Sequence, residues 1–258
     1  MRSLTHFVGV ALPLLVSQTL GLNFTIANGQ IFTPGFAILD APQPGTPLGG
    51  ELLEVALDVS TNGKMPLPPY ADDSPSKIFN ITIFLYSYDT NRNFTISNGT
   101  ATANNASLGE IMVQEPGSTV KHVKWTWPNC LVGDGQPESG DSDRGVYNIS
   151  IRQNFKLNGD DHYTIFDVPI SVTNSIEASA SRADCDSLDN PLLTPEQINA
   201  SAANAVGILF APGDSTQIQV EGKDDGKDGQ GLGGAGALNW RSGAHWLCLI
   251  SIGAAFLL

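Results

Sequence analysis

The chain has 258 residues, of which 13 are basic and 26 acidic, giving a formal charge of −13 at pH 7. That balance excludes nucleic acid and anionic headgroups as partners, because both are bound through clustered Lys and Arg. The length suits one sizeable domain or two small ones.

At the N-terminus, Arg2 supplies a positive charge, Phe7 to Val16 an apolar run and Thr19-Leu20-Gly21 a small-residue cleavage site. This order predicts a signal peptide over residues 1–21. Beyond it, Leu53, Val55, Leu57 and Val59 alternate with Glu54, Ala56 and Asp58, the period of a half-buried strand. Ile78 to Tyr88 places Phe79, Ile81, Ile83 and Leu85 on one face, and Asn80, Thr82, Phe84, Tyr86 and Tyr88 on the other. Thr119 to Trp127 carries Val123, Trp125 and Trp127 on one side. Val146 to Phe155 alternates Tyr147, Ile149 and Ile151 with Asn148, Ser150 and Arg152, and Tyr163 to Val172 follows. Pro169 in that last strand suggests an edge position or a bulge.

Gly- and Pro-rich loops at Ala41–Gly50, Met65–Pro75 and Gly133–Gly145 separate these strands. Short strands so punctuated predict an all-β antiparallel sandwich over residues 22–175. A C-terminal extension, 176–220, carries one helix, Pro195 to Ala205, with Thr194 as N-cap, Pro195 at its first position and Gln197 completing a capping box. Asp214 to Val220 is a candidate further strand. Residues 221–236 are Gly and charge in the main, a flexible stalk.

Residues 237–258 are predicted to be a glycosylphosphatidylinositol (GPI) propeptide. Small residues at Gly231–Gly236, a polar spacer at Ala237–His245 and an apolar tail at Trp246–Leu258 follow in the required order, with Gly233 or Gly234 as the attachment site. The tail falls short of the roughly 20 apolar residues that span a bilayer. Cys248 leaves with it, so Cys130 and Cys185 are expected to pair in an oxidising compartment. N-x-S/T sequons at Asn23, Asn80, Asn93, Asn98, Asn105, Asn148 and Asn199 point the same way. Asn80 and Asn148 each fall opposite an apolar face, where a glycan needs solvent.

The run Asp143-Arg144-Gly145-Val146-Tyr147 has the spacing D-x-G-x-Y and resembles the tyrosine corner that leads into strand F of immunoglobulin-like domains. The resemblance spans about residues 30 to 174 and implies an immunoglobulin or fibronectin-type sandwich, with Trp125 where a strand-C tryptophan would sit. Ile149 stands where the strand-F cysteine often falls, so the usual inter-sheet bridge is absent. The terminal signals, sequon density and acidic stalk also resemble GPI-anchored, N-glycosylated surface proteins of filamentous fungi.

Candidate chemistry is sparse. Phe84, Tyr86 and Tyr88 share a face with Asn80 and would, if exposed, stack against sugar rings. In the competing arrangement the strand is central and chain around Ile31 to Leu39 covers that face. Asp134, Glu138, Asp141 and Asp143 offer hard oxygen ligands for Ca2+ on one loop, without the spacing of a complete EF-hand, and a solvated acidic loop is the competing reading. His122 and His162 read as isolated surface histidines rather than as a metal pair. His6 lies in the signal, and a mature N-terminus near Leu22 or Asn23 lacks the leading histidine of polysaccharide-cleaving copper oxygenases. There is no G-x-S-x-G motif.

These observations predict a non-catalytic glycoprotein held at the outer face of the plasma membrane by a GPI anchor or passed on to the wall. Wall polysaccharide or surface proteins are its candidate partners. A tethered glycan-active enzyme and a calcium-dependent adhesion module are the alternatives.

Overall fold

A computed structural model of the chain describes residues 22–99, 115, 117–137, 142–201, 210–212 and 216–220. The predicted signal peptide, stalk and GPI propeptide lie outside them, as do Glu138, Asp141 and Asn105.

Two sheets face each other. The six-stranded sheet is built from β1 (Leu22–Ala27), β2 (Gln30–Phe32), β3 (Ile38–Ala41), β5 (Leu52–Asp58), β8 (Val120–Thr126) and β11 (Thr216–Val220), in the order β11-β1-β2-β3-β5-β8. The five-stranded sheet contains β4 (Thr46–Leu48), β6 (Lys77–Ser87), β7 (Arg92–Ser97), β9 (Gly145–Leu157) and β10 (Asp160–Val172), in the order β4-β10-β9-β6-β7. Every pairing is antiparallel except that of β4 with β10. Short helices among the described residues are α1 (Cys185–Leu188) and α2 (Pro195–Ser201). The all-β sandwich expected from the alternation is therefore present.

Two hairpins turn on Asn-Gly dipeptides. Asn28 and Gly29 sit at φ 52° and 80°, and Asn158 and Gly159 at 52° and 96°. Positive φ at both central residues belongs to the type I′ turn, whose twist matches its strands, and Asn-Gly adopts it at least steric cost. The second of these turns joins β9 and β10 into a hairpin that continues past the predicted strand ends, to Leu157 opposite Asp160.

The core forms where the inward faces meet. Ile81, Ile83 and Leu85 of β6, Ile149 and Ile151 of β9 and Val168 of β10 pack with Leu53, Val55 and Leu57 of β5, Val123 of β8 and the fully buried Trp127. Each large aliphatic side chain so buried contributes about 1.5–3 kcal/mol. Phe79 does not join them. A register shift between Ile78 and Asn80 hands the core position to Ile78, and Phe79 remains 41 % exposed beneath the Lys77 ammonium. One extra residue in a bulged strand turns the following side chains to the other face.

The core also takes in polar groups, and Gln153 is one of them. Gln153 of β9 is fully buried, accepts from Ala37 N at 2.8 Å and donates to Thr33 Oγ1 at 2.9 Å. The arch from Thr33 to Ala37 closes on this amide at Gly35, where a Cβ would collide with the Gln153 carboxamide.

Other expectations are corrected. Strands β1, β2, β3, β4 and β7 were not anticipated, and β4 lies inside the expected loop 41–50. Pro169 pairs with Asn148 in regular register, without a bulge, and β4 begins its pairing with β10 just beyond it, at Ile170. Trp125 belongs to β8, in the sheet opposite β9, and packs against Phe94 and Trp127. The tyrosine-corner hydrogen bond itself forms, Tyr147 Oη donating to Asp143 O at 2.6 Å.

The expected disulfide, Cys130–Cys185, is present. It starts an extension that is part of the sandwich: β11 completes the six-stranded sheet against β1, with Leu22 opposite Val220, and Phe210 enters the core beside Phe155. The predicted capping box is complete, Thr194 Oγ1 accepting from Gln197 N at 3.3 Å and Gln197 Oε1 from Thr194 N at 2.8 Å.

Candidate functional site

The outer face of the five-stranded sheet carries the aromatic row. Phe84 and Tyr86 project from β6, and Tyr88 follows the strand end. Alternation placed them correctly opposite Ile83 and Leu85, but they do not form an open platform. Tyr86 is only 3 % exposed, and Phe84 and Tyr88 are half-buried. Tyr88 packs edge-on against Tyr86, ring centroids 5.3 Å apart, and its hydroxyl donates to Leu193 O at 3.0 Å. The Arg152 guanidinium caps Phe84 at 4.4 Å from the ring centroid. The cover comes from the C-terminal extension, not from Ile31–Leu39, which lie in the other sheet.

Beneath Tyr86 lies Asp167 of β10, whose Oδ2 accepts from the tyrosine hydroxyl at 2.9 Å. Asp167 Oδ1 is closed off from solvent. Burial pushes this carboxyl above its ordinary 3.8, and the Ser150 and Tyr86 hydroxyls and the Arg152 charge pull only partly back. Burial also raises the Tyr86 phenol, with the Asp167 charge adding to it. The folded chain thus holds the Asp167 proton more tightly than the unfolded chain does. Its contribution to stability is therefore greatest in acid and is lost as pH rises from about 4 through the raised folded value. Asp167→Asn is expected to flatten that slope, matching the parent in acid and exceeding it at neutral pH. Urea denaturation at several pH values checks this, and parallel slopes for the two proteins would refute it.

A second polar cluster sits where β7 meets the extension. Arg92 holds Asp143 through two bonds, Nε–Oδ1 at 3.0 Å and Nη2–Oδ2 at 3.2 Å, and its Nη1 reaches Asp186 at 2.7 Å and Asp189 at 3.1 Å. Asp143, one of the carboxylates weighed from sequence as a calcium ligand against a solvated acidic loop, is thus committed to a guanidinium. Asp134 is exposed elsewhere on its loop, and the neighbouring Arg144 is turned inward to the carbonyls of Leu131, Gly135 and Asn174. Among the described residues, no group of three or more His, Cys, Asp or Glu is placed to hold a metal ion.

The two histidines lie in opposite sheets. His122 is half-buried, 2.9 Å from Glu115, whereas His162 is buried and stacked on Phe155, contrary to its reading as a surface residue.

The sequons divide by burial. Asn98 is exposed and Asn80 half-buried, but Asn93 and Asn148 are 6 % and 7 % exposed. Asn148 does lie opposite Tyr147 and Ile149, as its register predicted, yet that face is itself covered. Asn23 lies in β1 opposite Gln219, and Asn199 in α2.

Compared with family models, characterised proteins and solved structures, the chain matches none.

Proposed function

We propose that the chain is a non-catalytic extracellular glycoprotein, displayed at the outer face of the plasma membrane on a GPI anchor and open to transfer to the wall, of the kind found on filamentous fungi. The observation that carries this reading is the Cys130–Cys185 bridge. It joins the two cysteines outside the apolar tail, and such a bond belongs to an oxidising compartment. The C-terminal order of small residues, spacer and apolar tail supplies the mode of attachment.

The folded body on this reading is an immunoglobulin-like sandwich. Support comes from the sheet in which β9, bearing the tyrosine corner, lies between β6 and β10, as strand F lies between C and G. The opposite sheet places β5 between β3 and β8, as B lies between A and E. Its partners are those met at that surface, wall polysaccharide or other surface proteins. Because Tyr86 is sealed, such contacts are assigned to surfaces outside the tyrosine pair.

Treating intact cells with a phosphatidylinositol-specific phospholipase C tests the attachment. Release of the chain into the medium is expected, together with loss of membrane association in a variant truncated after Gly236. A chain that stays with the membrane in both experiments would sink the anchor reading.

A further inference from the structure

Asn93 and Thr95 are the acceptor asparagine and recognition hydroxyl of one N-x-T sequon. Both are occupied by the segment that follows α1, here termed the strap. Asn93 Nδ2 donates to Pro191 O at 3.0 Å, and Thr95 Oγ1 accepts from Asn190 Nδ2 at 3.1 Å. The backbone is engaged on the same edge: Asn93 N donates to Asp189 Oδ1 at 2.8 Å, and Asn93 O accepts from Asn190 N at 2.8 Å. Phe94, between the two sequon residues, is fully buried in the core. The strap thus lies along the outer edge of β7, with Phe94 and Asp189 bridged as in a sheet.

N-glycosylation is a transfer to that same amide nitrogen. Nδ2 forms a bond to the anomeric carbon of a lipid-linked oligosaccharide diphosphate, the bond from that carbon to the diphosphate oxygen breaks, and Nδ2 gives up one proton as the lipid diphosphate leaves. A sugar ring on Nδ2 would occupy the space in which Pro191 O sits 3.0 Å away, and the transferase needs the Asn amide and the Thr hydroxyl in an accessible stretch of chain. We infer that strap docking and a glycan at Asn93 exclude each other, and that the strap keeps Asn93 bare in the folded chain. Asn98, exposed just beyond the end of β7, is the acceptor of this hairpin. The inference rests on the proposed passage through the secretory pathway.

Glycopeptide mass spectrometry on the full chain made in a glycosylating eukaryotic cell tests it, alongside Asp189→Ala/Asn190→Ala. That double variant removes side-chain bonds to Asn93 N, Asn93 O and Thr95 Oγ1 and leaves the disulfide in place. Expected are an occupied Asn98 and bare Asn93 in the parent, with Asn93 occupancy rising several-fold in the variant. Leu57→Ala, which destabilises the core away from the strap, controls for general misfolding and is expected to leave Asn93 bare. A glycan on Asn93 in the folded parent overturns the inference, as does a bare Asn93 in the strap variant or an equal rise in Leu57→Ala. If Asn98 and Asn93 are both bare in all three proteins, the secretory reading itself falls, a result distinct from the others.

Discussion

Tyr86→Ala is expected to cost about 3–5 kcal/mol of folding stability, the range for truncating a large buried aromatic. The loss has two sources. The ring is sealed between the sheet and Tyr88, so its removal leaves a cavity, and its hydroxyl is a hydrogen-bond donor to the enclosed Asp167 carboxylate. Tyr86→Phe separates them: it keeps the ring and is expected to cost about 1–3 kcal/mol, the penalty for an acceptor left unsatisfied. Equilibrium denaturation in urea measures both. A Tyr86→Ala protein as stable as its parent would mean that the ring is not enclosed in solution. The result also governs how sugar-binding experiments are read, since a triple Phe84→Ala/Tyr86→Ala/Tyr88→Ala protein that fails to bind could simply have lost its fold.

Removing the disulfide, by Cys130→Ser with Cys185→Ser, is expected to destabilise the chain by about 4 kcal/mol on the chain-entropy model, given a sequence separation of 55 between the two cysteines. The damage should be uneven. Asn129 and the residues around Cys185 remain joined by Asn129 N to Ala183 O and Asn129 Nδ2 to Asp184 Oδ1, whereas α1 and the strap beyond it retain Arg92 as their principal ionic hold. Amide hydrogen exchange is therefore expected to quicken first in residues 184–191 and along β7, before the β9–β10 hairpin. Uniform acceleration over the whole chain would show instead that extension and sandwich unfold as one unit.

What the amino-acid pattern made legible was local. The Thr194/Gln197 cap needs residues three apart, and the alternation in β5, β6, β8, β9 and β10 needs only strict period 2 over several residues. The tyrosine corner likewise closes within four residues, from Tyr147 to Asp143. Short strands escaped because three or four residues such as Gln30–Phe32, Thr46–Leu48 and Ile38–Ala41 carry too few alternations to register, and Pro47 sits in a stretch rich in turn formers. The Asn28-Gly29 pair was a usable hairpin signal for β1 and β2. In β7 the alternation of Asn93 and Thr95 with Phe94 and Ile96 was also visible, though it reads equally as a glycosylated loop.

The surface chemistry was not legible, for a different reason. Whether Tyr86, Tyr88, Asn93 and Asn148 meet solvent depends on what lies over the sheet, and Tyr88 meets its cover at Leu193 and Asn93 at Pro191, separations of 105 and 98 residues. Period 2 reports which side of a sheet a residue takes and carries nothing about a second layer. The bulge at Phe79 had the same effect on a smaller scale, one unpaired residue reversing the assignment of a side chain.

The pairing of β1 with β11 has a mechanical side. Val220, the residue before the stalk expected from the sequence, occupies the outermost of five rungs, opposite Leu22. If the chain is anchored as proposed, tension from the C-terminal side would enter the sandwich at that rung. Pulled across the sheet edge, β11 would open like a zipper, breaking one rung at a time, while a pull along the strand would load all five together. The direction of tethering, more than the strength of the core, would then decide how much force the body bears before its last strand lets go, and β11 would act as the mechanical fuse between tether and sandwich.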